Sequence, residues 1–122
     1  RNAIYHTSRI EPVPHTFRKK YLLKSKDRNN PVIKIAPEIR NRVSFEKLNL
    51  MDRDFGLKQN IHIAFCRNVI IYFNKETQEA ILNKIIRHLV PQGYLFQGHS
   101  ESIQGMMLPL KPLHPTIFQK NR

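Results

Sequence analysis

The 122-residue chain is long enough for one modest domain or for part of a larger one. A hydrophobic share of 40% with 25% charged residues is typical of a soluble globular protein. No apolar run approaches the ~20 residues of a membrane-spanning helix, so we expect no membrane insertion. The net charge of +12 comes mainly from residues 1–42, which contain 11 Lys and Arg but only 3 Asp and Glu. This excess leaves three alternatives open, namely a solvated surface, steering of an acidic protein partner, or a nucleic-acid interface.

The first thirty residues are polar, basic and without a clear period, and they predict an irregular or helical lead-in over 1–30. Pro12 and Pro14 exclude a long helix there. Residues 15–23 predict a short amphipathic helix. The only hint of the interleaved aromatic and basic residues that a nucleic-acid interface favours is Phe17 and Tyr21 beside residues 18–20, so we expect no nucleic-acid partner.

The next segment, residues 31–43, contains the short β-branched run Val32–Ile35, which predicts a strand ending at Pro37. Residues 42–50 alternate only in part between apolar and polar side chains. They predict a second strand with uncertain ends.

The stretch from residue 61 is the most informative, because Ile61–Cys66 is an apolar run of strand length. Asn74 is a good N-cap for a following helix, and Pro91 and Gly93 are predicted to end that helix. Residues 94–96 begin another strand. The helix carries one apolar stripe at helical spacing, formed by Ile81, Leu82, Ile85, Ile86 and Leu89.

Strand, helix and strand together predict a βαβ unit with parallel pairing and a right-handed crossover. Residues 116–118 predict a final short strand, so the core spans residues 44–122. One such unit cannot cover both faces of a sheet. The chain is therefore predicted to be α/β and to hold the C-terminal half of a doubly wound sheet. Its opening residues, which lack an initiator Met and a signal-peptide pattern, are expected to lie inside a longer protein.

Ligands of open α/β sheets bind beyond the carboxyl ends of the strands. Arg67 and Asn68 directly follow the first strand of this unit, and the Asn68 amide offers both a donor and an acceptor. Asn49 occupies a similar place after the preceding predicted strand. Position alone leaves open a strand end that simply returns to solvent, and for Asn49 it leaves open an ordinary turn.

Five blocks of sequence resemble the CheR-type chemotaxis-receptor methyltransferases, which are protein-glutamate O-methyltransferases. The block FCRNVIIYF at residues 65–73 resembles a signature of the family. The other blocks follow the family's order and spacing, and they are NLMD at 49–52, KETQ at 75–78, LVPQGYLF at 89–96 and GHSES at 98–102.

The resemblance implies the fold of class I S-adenosylmethionine-dependent methyltransferases, with a possible small antiparallel β insertion near residues 32–43. It implies that Asn49, Leu50, Arg67 and Asn68 line the pocket for S-adenosylmethionine. It also implies that Tyr72 lies near the transferred methyl group and the incoming glutamate. The implied partner is a methyl-accepting chemotaxis receptor.

Three features of the family have no match in this sequence. They are the glycine-containing cofactor loop, the acidic residue that holds the ribose, and the N-terminal helical domain. All three are expected to precede Arg1, so this chain alone is expected to be inactive. Gln92 also departs from the family, because it stands in a turn that is often glycine-rich.

The sequence shows no Ser, His and Asp at the spacing of a catalytic triad, no close pair of carboxylates and no Cys and His at the spacing of metal ligands. The implied reaction explains this, because it needs none of these groups. A glutamate carboxylate is already ionised at neutral pH, because its free pKa is ~4.3. The protein must align the attacking oxygen, the methyl group and the sulfur.

Cys66 is the single cysteine, so the chain cannot form an internal disulfide. It fits a reducing cytoplasmic location and is expected to be an inert core thiol. The alternative function is a receptor-binding module that keeps the fold without catalysis.

Overall fold

The structure is a computed structural model that describes residues 2–58 and 60–122. The chain divides into two compact units, Arg1–Lys47 and Leu48–Arg122. Within the described ranges, the helices are too short or too polar to cross a lipid bilayer.

The first unit is built on a three-stranded antiparallel sheet in the order β1-β3-β2. Strand β3 is the predicted strand, and its Ile33 is buried, so this side chain anchors the small sheet. The helix predicted over residues 15–23 forms, although it ends earlier, at Tyr21. The elements of this unit are β1 (Ile4–His6), α1 (His15–Tyr21), β2 (Leu22–Lys24), β3 (Val32–Ile35) and α2 (Pro37–Arg40).

Two expectations for this part of the chain differ from the structure. Strands β1 and β2 lie inside residues 1–30, which the sequence predicted to be irregular or helical. Strands of three residues carry too little pattern to be recognised without their partner β3.

The predicted strand over residues 42–50 is wrong, because this segment is turn and irregular backbone. Its apolar side chains face solvent, with Phe45 85% and Val43 52% exposed. Alternation makes a strand only where a neighbouring strand offers backbone partners, and these residues join the two units instead.

The second unit contains a four-stranded mixed sheet in the order β4-β5-β7-β6. Strands β4 and β5 are parallel and are joined by helix α3, which confirms the predicted α/β class and the parallel βαβ unit. Strands β6 and β7 add antiparallel pairs on the far side of β5. The elements are β4 (Ile61–Cys66), α3 (Lys75–His88), β5 (Leu89–Gln97), β6 (Leu110–His114) and β7 (Ile117–Lys120).

Helix α3 covers one face of this sheet. Asn74 caps it by accepting a hydrogen bond from the backbone N–H of Thr77 at 2.9 Å. Its predicted stripe supplies the fully buried Ile81, Leu82 and Ile86, which pack with Leu95 of β5. Burial of one such side chain contributes about 1.5–3 kcal/mol, so this stripe fixes the helix on the parallel strands.

The other face of the same strands carries large apolar side chains that remain exposed. Phe65 is 69% exposed, Ile63 is 52% exposed and Tyr94 is 37% exposed. Phe65 contacts Phe96 of the neighbouring strand, with 4.8 Å between ring centroids. Within the described residues, this face therefore has apolar side chains without a covering layer.

Strand β5 begins with an irregular segment at the place where the helix was predicted to end. The helix already ends at His88, and Pro91 and Gly93 lie within β5. Pairing shifts here, because Ile61 pairs with Leu89 while Ile63 pairs with Tyr94. The extra residues loop out of the ladder, as in a β-bulge.

Gln92, within this bulge, has a φ of +65°. This left-handed region costs a non-glycine residue about 1–2 kcal/mol. Gln92→Gly should therefore raise the free energy of unfolding by about 1 kcal/mol in urea denaturation, although glycine's greater freedom in the unfolded chain offsets part of the gain.

Gln104→Gly is the matched control, because Gln104 is also exposed but does not have a positive φ. That variant should be slightly less stable than the original protein. Equal destabilisation by both substitutions would contradict the assignment of strain to Gln92.

Candidate functional site

The site lies where the parallel strands β4 and β5 end. Cys66 pairs with Gln97 at the last position of the ladder, so both chains leave the sheet at the same edge. Arg67 and Asn68 follow β4, and Gly98 follows β5. The parallel pairing thus places residues 67–69 and residues 98–101 side by side at the carboxyl edge, where sheets of this class bind ligands.

Asn68 turns the chain sharply after β4. Its φ is +58°, a left-handed conformation that asparagine adopts more readily than most residues. A Cβ atom added to Gly98 would lie 2.5 Å from Asn68 Oδ1. Glycine at position 98 therefore allows the Asn68 side chain to lie directly against the backbone of the neighbouring loop.

Glu101 links the same two loops. One carboxylate oxygen accepts a hydrogen bond from the Gly98 N–H at 2.6 Å, and the other accepts one from the Val69 N–H at 3.2 Å. The sequence reasoning did not single out Glu101. Its position in the GHSES block was the available signal, but no local pattern indicates a contact with residue 69.

Tyr72 lies at the end of a short 3-10 turn, Ile70–Tyr72. Ile70 is fully buried and anchors this turn to the core, whereas Tyr72 is 83% exposed. The side chain is therefore presented to the outside, rather than held half-buried as an ordinary packing residue would be. Its hydroxyl is accessible to an incoming group.

Asn49 forms the turn that the sequence analysis had left as an alternative. Its Oδ1 accepts a hydrogen bond from the Met51 N–H at 3.0 Å, which is an Asx-turn. The side chain is exposed, and its amide group retains two donors for another partner. Leu50 is partly buried and packs against the core cluster that includes Cys66 and Ile70.

Helix α3 holds the segment after Leu50 through basic side chains on its last turns. Lys84 Nζ donates hydrogen bonds to Leu50 O at 2.5 Å and to Asp52 O at 2.7 Å. His88 Nε2 lies 2.9 Å from Asp54 Oδ1, and this hydrogen bond lowers the pKa of Asp54. These contacts join residues 50–54 to the helix that covers the sheet, and the sequence analysis did not anticipate them.

Cys66 closes β4 as a buried free thiol. Burial, together with the charge of Glu101, raises its pKa to about 11. The thiol is therefore protonated at neutral pH and does not act as a nucleophile there. Within residues 2–58 and 60–122, no group of His, Cys, Asp or Glu side chains is arranged to hold a metal ion.

Gln97 is a buried polar side chain next to the site but not part of it. It is 2% exposed, and neither its side-chain nitrogen nor its oxygen has a partner among the described residues. Alternation along β5 places it on the face of Leu95, which α3 covers. Its side chain therefore points toward the covered face of the sheet.

Comparison with known proteins assigns the chain to a family. The family model described as CheR methyltransferase, SAM binding domain, matches residues 1–117. The chain belongs to the CheR methyltransferase family. This membership confirms the resemblance found in the sequence and the expected methyltransferase fold class.

Three curated relatives illustrate the similarity. Chemotaxis protein methyltransferase 2 of Pseudomonas aeruginosa is 34% identical over 118 residues, which is 97% of this chain and 42% of that protein. Chemotaxis protein methyltransferase of Borreliella burgdorferi is 37% identical over 121 residues, covering 99% of this chain and 41% of that protein. The protein of the same name from Salmonella typhimurium is 32% identical over 118 residues. The chain thus spans about two fifths of the length of these relatives.

The hydrogen bonds of Lys84 predict that this side chain holds residues 50–54 against helix α3. Lys84→Met keeps most of the side-chain length but removes both hydrogen bonds to the carbonyls of Leu50 and Asp52. We expect amide hydrogen exchange to accelerate in residues 50–54 and the free energy of unfolding to fall by about 1–2 kcal/mol.

Lys75→Met, in the first turn of the same helix, is the matched control, because Lys75 is exposed. It should leave both measurements nearly unchanged. Unaltered exchange in residues 50–54 of the Lys84 variant would show that Lys84 does not hold this segment.

Proposed function

We propose that this chain supplies the carboxyl-edge half of the S-adenosylmethionine pocket of an enzyme that methylates glutamate side chains of chemotaxis receptors. One observation carries the proposal. Arg67 and Asn68 follow the carboxyl end of a parallel strand and lie directly beside the loop at Gly98, in a chain that belongs to the CheR family.

The groups at this edge suit the methyl donor. Asn68 offers an amide that can both donate to and accept from polar groups of the adenosyl or amino-acid part. Gly98 has no Cβ and therefore lets the Asn68 amide lie directly against the neighbouring loop. Leu50 supplies apolar surface, while Asn49 and Arg67 are exposed and add polar contacts.

S-adenosylmethionine, when bound, supplies an electrophilic methyl group. The chain's own residues then have to orient the acceptor, since the glutamate carboxylate is ionised at neutral pH without a general base. We propose that the exposed Tyr72 hydroxyl donates a hydrogen bond to that carboxylate and aligns it for in-line attack. The protonated Cys66 takes no part in the chemistry.

We further propose that residues outside this chain complete the pocket. The uncovered apolar face around Phe65 and Ile63 needs a covering layer, and the chain spans about two fifths of its relatives' length. The family's glycine loop and ribose-binding acid have no match here. The chain by itself is therefore expected to be inactive.

The proposed protein substrate is a methyl-accepting chemotaxis receptor, and the proposed location is the cytoplasm. The names of the relatives support a role in chemotaxis. Residues 1–42 carry most of the positive charge, which would attract a receptor surface rich in glutamate. A receptor-binding module without catalysis is the second candidate, because the same positive charge would serve receptor binding without methyl transfer.

Donor binding separates the two candidates. Isothermal titration of S-adenosylmethionine into a protein of the relatives' full length that carries this sequence should show one site. Asn68→Gly keeps the left-handed backbone accessible but removes the amide, so we expect the dissociation constant to rise roughly tenfold.

Asn121→Gly, close to the end of the chain and exposed, is the control and should bind as the original protein does. Retained receptor binding with no donor binding by the full-length protein would instead support the non-catalytic module. Unchanged affinity in the Asn68 variant would remove Asn68 from the pocket.

Tyr72→Phe tests the role proposed for the hydroxyl. Because one hydrogen bond to the acceptor is lost, the methylation rate at saturating donor should fall roughly tenfold, while donor affinity stays the same. The rate is measured with radiolabelled methyl transfer to receptor-containing membranes.

Tyr94→Phe is the matched control, because Tyr94 lies in the middle of β5 and not at its carboxyl end. It should transfer methyl groups at the original rate. If Tyr72→Phe is as active as this control, the proposed role of the hydroxyl is wrong.

A further inference from the structure

Glu101 makes two hydrogen bonds that lie outside every role assigned above. Its carboxylate accepts from Gly98 N–H, three residues earlier, and from Val69 N–H, thirty-two residues earlier. The two donors belong to different loops, one after each parallel strand. We infer that Glu101 is a positioning residue, whose carboxylate fixes the spacing of the two loops and thereby holds Asn68 in its donor-binding orientation.

The carboxylate is the chemical group that this position requires. Each loop presents a backbone N–H beyond the last paired residue of its strand, and both groups donate to the Glu101 carboxylate. An ionised carboxylate has two acceptor oxygens and can serve both N–H groups at once. Bonds to an ionised acceptor are shorter and stronger than neutral ones, and the 2.6 Å bond to Gly98 is of this kind.

The contact to Val69 acts on Asn68 through the backbone. The Val69 N–H belongs to the peptide group that joins Asn68 to Val69, so a fixed direction for this N–H restricts the ψ angle of Asn68. Asn68 is in the left-handed region, with a φ of +58°, which asparagine tolerates better than most residues but at some conformational cost. The hydrogen bond from Val69 N–H to Glu101 stabilises this conformation from the neighbouring loop.

The contact to Gly98 acts on the Asn68 side chain. The position of a Cβ at Gly98 is 2.5 Å from Asn68 Oδ1 and 3.1 Å from Glu101 Oε2. The Asn68 amide, the Gly98 backbone and the Glu101 carboxylate therefore pack around one point. A shift of the 98–101 loop would change the surface against which the Asn68 amide lies.

The inference rests on the proposed function, and it is tested in the full-length protein that carries this sequence. Glu101→Gln keeps the shape but replaces one acceptor oxygen with an amide nitrogen, which cannot accept from an N–H group. One of the two loops then loses its partner. We expect the dissociation constant and the KM for S-adenosylmethionine to rise roughly tenfold, while kcat at saturating donor falls less than threefold.

Two variants complete the design. Glu101→Asp keeps the charge and both acceptors on a shorter side chain, so it should restore part of the donor affinity. Glu79→Gln, in helix α3, removes the same charge from a residue outside both loops and should bind the donor as the original protein does. Amide hydrogen exchange should accelerate at Val69 and Gly98 in Glu101→Gln and not in Glu79→Gln.

The outcomes distinguish the two claims. An original protein that does not bind the donor would overturn the proposed function itself. Donor binding by the original protein with equal affinity in Glu101→Gln would overturn only the positioning role. If Glu101→Gln does not fold, Glu101→Ala carries the test, because it removes both acceptors and leaves room for water beside the two N–H groups. Donor affinity equal to that of the original protein in this variant would overturn the inference.

Discussion

The parallel pairing of β4 and β5 is the constraint on which the rest of the second unit depends. It brings the ends of two strands, separated by a whole helix in the sequence, to one edge of the sheet. The pairing is fixed in turn by the apolar stripe of α3, whose Ile81, Leu82 and Ile86 are fully buried against the strands. Arg67, Asn68, Gly98 and Glu101 take their positions from this arrangement.

The site itself is defined by backbone geometry rather than by reactive side chains. Gly98 allows a close approach, Asn68 adopts a left-handed turn, and Glu101 ties two backbone N–H groups together. The one thiol nearby is buried and protonated. Such a site is suited to holding a reactive donor and an already ionised acceptor in line, because alignment is the main requirement of that reaction.

The sequence predicted the elements whose patterns are local and long. The apolar run of β4, the cap at Asn74 and the stripe of α3 each contain enough residues to reveal their period, and the structure contains all three. The predicted strand over residues 42–50 failed, because a pattern cannot show whether a partner strand is present. Contacts such as Glu101 with Val69 and Lys84 with Leu50 join distant segments, so no local spacing could indicate them.

The central claim is that the methyl donor binds at the carboxyl edge of β4 and β5. A crystal structure of the full-length protein with S-adenosylhomocysteine, the demethylated donor, tests it most directly. The account predicts the nucleoside or amino-acid part of this ligand within hydrogen-bonding distance of Asn68, beside the loop that begins at Gly98. A ligand bound elsewhere, with Arg67 and Asn68 in contact only with solvent, would contradict the account.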